Sequence, residues 1–325
     1  MRKISIAILG LLIIAQSCTS STGNEPQTEK PSANINAVKV VNPLNDVPVK
    51  LGDYWYQGKG EVNHYKLEQN RYKDIHPGEV VMIFVTEDFL TDKQVKNDTY
   101  QDKNSTSVLK MNQIRRFSTG IYDYSMMTSV FTPVDLKNHP QTLKVTLSSQ
   151  DWCGHTFTQL NYKDNAYQYQ LLSYFETEGD VGKRIEPALL EDELFNRIRM
   201  NPDLLPTGKI KMLPSTTFSR LKHKAFGQLD AVITRTKYDG SDFTGDNLMV
   251  YQVKYPEVDR TLEIIYEARE PYAIAGWKDS YPSAFDEQMR TTVATRTNTL
   301  MIPYWQDNAL ENTAMRKDLG LEVNY

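Results

Sequence analysis

Leu143-Lys144-Val145-Thr146-Leu147-Ser148-Ser149 alternates apolar and polar side chains with a period of two. Successive side chains of a strand point to opposite faces, so this stretch reads as a half-buried strand. His155 to Asn161 and Tyr167 to Glu176 read as two further strands, joined across Lys163-Asp164-Asn165. The links are too short for crossover helices, and such a meander is antiparallel. Upstream, Glu79 to Glu87 carries the apolar run Val80-Val81-Met82-Ile83-Phe84-Val85, which predicts a central strand. Downstream, Leu189 to Met200 places Leu190, Leu194 and Ile198 at four-residue spacing on one helix face, with Phe195 beside them. Asn201-Pro202 ends that helix. Strand signals return at Lys209 to Pro214, Gln228 to Tyr238, Asn247 to Tyr255, Arg260 to Glu267 and Tyr272 to Lys278. Ala309 to Leu319 reads as a short terminal helix. The expected fold is mainly β with a few helices: a large curled antiparallel sheet or half-barrel, in a body spanning 51–325. Two similar halves, 51–185 and 205–300, joined by the helix at 189–200, fit the same pattern.

The start of the chain carries a different signal. Met1-Arg2-Lys3 precedes an uncharged, mostly apolar run from Ile4 to Ala15, then Gln16-Ser17-Cys18. That is a basic n-region and an apolar h-region of signal-peptide length, well short of a membrane span. Residues 1–17 therefore read as a signal peptide. A cysteine after a small residue at the end of such a run is similar to the lipobox of bacterial lipoproteins. In that class the cysteine is lipidated and becomes the first residue of the mature chain. Ala15 stands where leucine is commonest, and Gln16 is bulky for its place. Ordinary secretory cleavage near Ser17 or Ser20 is the alternative. Residues 18–50 are small and polar and read as a flexible tether, with an edge strand at Val38 to Val49. The expected location is the cell envelope, lipid-anchored at Cys18, at the outer membrane facing the periplasm.

The chain carries a formal charge of −4, which becomes −6 when Arg2 and Lys3 leave with the signal. A mildly acidic body is a poor nucleic-acid binder and lacks a polybasic lipid-binding patch. Attachment to the membrane then rests on the acyl chains. Of the two cysteines, lipidation of Cys18 leaves Cys153 without a partner in the chain.

Asp151-Trp152-Cys153-Gly154-His155 is the sharpest chemical segment. A strand running straight through it puts Asp151, Cys153 and His155 on one face. A thiol and an imidazole so placed suggest a nucleophile pair oriented by Asp151, for a hydrolase or transferase. The same groups offer a metal S, N and O ligands. Neighbours two apart in a strand lie about 6.5–7 Å from each other, so a sharp turn at Gly154 is required. The favoured reading is structural, with Cys153 buried and Trp152 packed. Thr86-Glu87-Asp88-Phe89 reads as a solvated strand exit. Glu176, Glu178 and Asp180 alternate at another exit, which gives a weak oxygen-rich cation site. His64, His76, His139 and His223 are scattered without metal-ligand spacing. Aromatic density suggests a lined cavity, with Tyr54, Trp55, Tyr56, Tyr122, Tyr124, Trp152, Tyr266 and Trp277 as ligand-binding candidates. Filling of a large core is the plainer role for the same residues. No dinucleotide fingerprint, phosphate-binding loop, zinc-protease motif or nucleophile elbow is present, and no cofactor is expected.

At Tyr54-Trp55-Tyr56-Gln57-Gly58-Lys59-Gly60-Glu61, Thr86-Glu87-Asp88-Phe89, Thr119-Gly120-Ile121-Tyr122-Asp123-Tyr124-Ser125-Met126-Met127 and Asp151-Trp152-Cys153-Gly154-His155, the chain resembles a family of Bacteroidetes lipoproteins of unknown function. Some members are labelled septum-formation proteins. The resemblance covers about residues 50 to 280 and implies an envelope lipoprotein, with no established activity or catalytic residue. More weakly, the second half resembles periplasmic curled-sheet proteins that shelter lipid or hydrophobic ligands. The functional expectation is non-enzymatic binding of an apolar or lipid-like ligand or an envelope partner. A Cys153/His155 enzyme and a structural scaffold are the alternatives.

Overall fold

A computed structural model describes residues 50–321. Cys18, the signal segment and the tether up to residue 49 lie outside the described residues. Among those described, sixteen strands form one sheet. The first run is β1 (Gly60–Arg71), β2 (Asp74–Leu90), β3 (Val95–Lys96), β4 (Ser105–Thr119) and β5 (Tyr122–Pro133). Then come β6 (Lys144–Asp151), β7 (Gly154–Lys163), β8 (Ala166–Ser173) and β9 (Val181–Ile185). β10 (Leu189–Leu190) and a 3-10 turn lead into α1 (Leu194–Met200). β11 (Gly208–Leu213) and α2 (Thr216–Lys222) follow. The chain closes with β12 (Leu229–Lys237), β13 (Leu248–Tyr255), β14 (Arg260–Glu267), β15 (Ile274–Pro282), β16 (Met289–Ile302) and α3 (Met315–Asp318).

The strand order is β10-β11-β12-β13-β14-β15-β16-β1-β2-β4-β5-β6-β7-β8-β9, with the small β3 beside β2. Every pairing is antiparallel except β10 with β11. The meander read between 143 and 176 is present, with Val145 opposite Leu160 and Leu160 opposite Tyr169. β1 pairs with β16, so the first and last strands meet in mid-sheet and join the two runs of strands into one surface. The two edge strands, β9 and β10, are separated in sequence only by Glu186-Pro187-Ala188. The strip thus returns on itself without hydrogen-bonding shut, a half-barrel with a seam.

α1 fills the inside. All seven of its residues are buried, including Asn196, Arg197 and Arg199. The helix was expected to have one apolar face; wrapped by sheet, it has no solvent face at all. Its polar side chains are therefore matched inside. Arg199 grips Glu61 through both terminal nitrogens, at 2.7 and 2.5 Å, beneath Trp55 and Phe84. Arg197 pairs with Glu193 at 2.8 Å, and Asn196 donates to the Leu109 carbonyl and Thr132. Burial alone raises the Glu61 carboxyl; the Arg199 charge and hydrogen bonds outweigh it, and the net shift is down. A paired buried charge is tolerated in this way, whereas an unpaired one is costly.

Candidate functional site

α2 closes the seam, and its ends are defined by local chemistry. Ser215 Oγ accepts from the Phe218 amide at 3.0 Å, an N-cap. His223 ends the helix in the left-handed region at φ 50°, with Lys224 N bonded back to Ser219 O. Arg71 of β1 donates to the Leu221 carbonyl, satisfying another helix-end acceptor. Beyond the helix, Gln228 reaches the Glu186 carbonyl at 2.9 Å and Lys183 reaches the Phe226 carbonyl at 2.7 Å. The loop after α2 is thus pinned to both the β9 edge and the link between the sheet edges.

Between α2 and strands β7 to β9 lies a pocket of about 150 Å³. Leu171, Val181, Tyr169 and Phe226 form its apolar wall, and Lys183, Arg220 and Lys224 bring cations to it. Tyr169 and Phe226 stack with centroids 5.1 Å apart. A space of this size accommodates about one benzene-sized group.

A polar chain runs along the pocket. Asp151 accepts from Tyr122 OH at 2.6 Å, from the Cys153 amide at 2.9 Å and from Arg220 at 2.8 Å. The other Arg220 terminal nitrogen meets His223 Nε2 at 3.2 Å, and its guanidinium lies 4.5 Å over Phe175. His223 Nδ1 meets Glu178 at 2.6 Å, and Glu178 accepts from Ser173 at 2.5 Å. Burial lowers the His223 imidazole, the Glu178 hydrogen bond opposes that, and the Arg220 charge adds to it; the net direction is down. A neutral ring fits both contacts, with Nδ1–H donating to Glu178 and Nε2 accepting from Arg220. Burial first, then the Asp151 hydrogen bond, pushes the Tyr122 phenol up.

The sequence-derived candidates land as follows. Trp152 and Cys153 form the two-residue tip of the β6–β7 hairpin, with Asp151 opposite Gly154 and Gln150 opposite His155. Asp151 points inward and is buried; His155 is exposed on the other side. Among the described residues no hydrogen bond joins Cys153 to His155, and Asp151 is engaged by Arg220 and Tyr122 instead. The packed reading of this segment is corrected: Cys153 is exposed, and Trp152 is 62 % exposed, because both sit at a hairpin tip. The close approach at Gly154 is real, since a Cβ there meets the Tyr174 ring at 2.7 Å. Glu176, Glu178 and Asp180 do not form a three-carboxylate site: Glu178 meets His223 and Ser173 Oγ, Asp180 accepts from the Ser173 amide, and Glu176 is exposed. Among the described residues no group of three or more His, Cys, Asp or Glu is arranged for a metal.

Of the aromatic candidates, Trp55, Tyr124, Tyr266 and Trp277 are core residues. Tyr54 is tied to Glu61, Tyr122 to Asp151, and Tyr56 and Trp152 face solvent. None of the eight lines the seam pocket. Tyr169, Phe226, Arg220 and His223 do, and sequence reading passed over all four as site residues. A second void of about 40 Å³ lies inside the sheet, beside Arg115, Asp192, Arg260 and Asp279. Arg260 holds both Glu191 and Asp279 there.

No family model matches the chain, and no curated protein does. Among solved structures, the chain is similar to a beta-barrel-like protein of a domain of unknown function, DUF1849, from Brucella abortus. The identity is 7 %, the match covers 75 % of this chain and 97 % of that one, and the TM-score is 0.43.

Proposed function

We propose that this chain is a cell-envelope lipoprotein, anchored through Cys18, whose body binds the apolar end of a lipid-like ligand in the seam pocket. The observation that supports it is the pocket's composition. An apolar wall of Leu171, Val181, Tyr169 and Phe226 faces a margin where the cations Lys183, Arg220 and Lys224 outnumber the carboxylate of Glu178. Such a site removes hydrocarbon from water while leaving an acidic head near positive charge. Its volume takes one ring or a short acyl segment, so the rest of the ligand stays outside.

Ala225 is exposed at the pocket margin and tests the proposal without touching the core. A dansyl-labelled medium-chain fatty acid, titrated by fluorescence, binds the native chain saturably. Ala225→Trp fills the pocket and weakens that binding at least tenfold. Equal binding by the two proteins removes the seam pocket as the site.

A further inference from the structure

Five hairpin turns adjacent in the sheet point the same way. The registers place the turns at 283–288, 72–73, 120–121, 152–153 and 174–180 at one end of strands β15 to β9. Four of them carry an exposed large apolar residue: Phe285 at 55 %, Ile121 at 83 %, Trp152 at 62 % and Tyr174 at 70 % exposure. The turn at 72–73 supplies Tyr72, whose ring packs 5.0 Å from Phe285 and whose hydroxyl bonds Tyr124. Tyr122 then joins Tyr124, at 5.2 Å, to Trp152, at 5.9 Å. Hairpins at the other end have polar tips, such as Thr91-Asp92-Lys93-Gln94 and Asp164-Asn165. Exposed apolar residues there are Tyr56 before β1, Val95 and Tyr100 in β3 and the loop after it, and Trp305 and Leu310 in the C-terminal segment, scattered rather than in a row of adjacent tips.

We infer that this row of tips is a bilayer-contacting rim, which seats Phe285, Ile121, Trp152 and Tyr174 among lipid headgroups. Three observations choose a bilayer over a protein partner. Adjacent hairpins are two strand spacings, about 10 Å, apart, so the exposed apolar tips are spread along a narrow row and do not form one broad flat patch. A protein interface packs a contiguous surface of about 800 Å² per partner, whereas tips in a row can each enter a soft headgroup layer. Trp and Tyr, with an apolar body and a polar edge, suit that depth. The charges among the tips are mixed, with Lys73, Lys222 and Lys224 near Asp123, Glu176 and Asp286. Mixed charge complements zwitterionic headgroups and gives no bias to anionic ones. The Tyr174 turn also supplies Thr177 and Glu178 to the seam pocket, so the rim and the pocket mouth adjoin. A ligand leaving the bilayer at the rim enters the pocket without crossing open water. β1 enters the sheet at the opposite end, where Gly60 pairs with Ile302. The 32 residues between Cys18 and Leu51 reach at most about 110 Å when extended. β1 itself is about 40 Å long, so an anchored chain can bring the rim down.

The inference rests on the lipid-binding reading only for the role of the rim; contact with lipid is measured without any pocket ligand. The purified full chain is mixed with phosphatidylethanolamine and phosphatidylglycerol vesicles, with or without bromine on the acyl chains. Brominated lipid quenches the Trp152 share of the emission, one of four tryptophans, and that quenching is missing in the surface variant Trp152→Phe. Raising the phosphatidylglycerol fraction leaves it unchanged within about twofold. Equal quenching in both proteins overturns the inference. So does a Trp152 shielded from both bromine and aqueous iodide, when Ile121→Ser with Phe285→Ser restores iodide access and lowers the oligomeric state. That result marks the rim as a contact between copies of the chain. Loss of probe binding in the pocket with bromine quenching intact defeats the ligand reading and leaves the rim standing.

Discussion

Two arginines on the two inner helices meet carboxylates in different ways. Arg199 of α1 gives both terminal nitrogens to one carboxylate, Glu61, beneath Trp55 and Phe84 in the closed core. Arg220 of α2 splits its fork, one nitrogen to Asp151 and one to His223, beside the seam pocket. Bidentate pairing spends the whole guanidinium on structure. The divided fork instead links two hairpin turns, a helix end and a histidine along an open margin. The contrast separates what holds the sheet around its contents from what shapes a site.

Breaking each pair in turn gives the largest expected effect. Arg199→Met leaves Glu61 in the closed core with only the neutral donors Tyr54 and Asn63, out of reach of water, and lowers stability by about 3–5 kcal/mol. Arg220→Met costs less, about 1.5–3 kcal/mol, because Asp151 keeps Tyr122 and the Cys153 amide next to an exposed tip that water reaches. Urea unfolding of both variants checks the order, and equal losses erase the distinction between core and seam.

A second effect separates the two regions by pH. Asp192, in the 3-10 turn that precedes α1, accepts from the Thr216 amide that opens α2. Burial, with Glu191 nearby, pushes its carboxyl up to about 7, against the Thr216 hydrogen bond. The folded protein therefore keeps this proton where the unfolded chain has lost it. Its contribution is complete below about pH 4 and falls between about pH 4 and 7, by up to roughly 1.4 kcal/mol per pH unit. Asp192→Asn flattens that part of the stability profile. An unchanged slope places the titration elsewhere. Smallest of all, Ala225→Trp starts from an exposed position at the pocket margin and changes the unfolding free energy, read by urea, by less than about 1 kcal/mol, whatever it does to binding.

The class of fold was legible because the strands with alternating faces, such as 143–149 and 260–267, keep apolar residues inward. β4 was not read as a strand, and the reason lies inside the sheet. Its inward positions include Gln113 and Arg115, which meet the polar void near Asp279 and break the period-two signal. β16 was missed for a similar cause, since threonine dominates it and Ala294 is its fully buried apolar residue. α2 hid behind Thr216-Thr217, although Pro214-Ser215 before Phe218 is a start signal that a closer look at caps finds. The site was the least legible part. Asp151, Glu178, Arg220 and His223 are up to 72 positions apart, and only the return of β9 toward α2 assembles them. The segment Asp151 to His155 drew attention for its thiol and imidazole. The structure puts its weight on Asp151, which the sequence reading cast as a helper to His155.

Photocrosslinking tests the central claim most directly. A diazirine-bearing medium-chain fatty acid is irradiated with the native chain, and the labelled peptides are mapped by mass spectrometry. Labels concentrated in residues 169–183 and 216–226, and displaced by unlabelled fatty acid, are the predicted result. Labels spread over the outer strands, or undisplaced by competitor, contradict a lipid-binding seam.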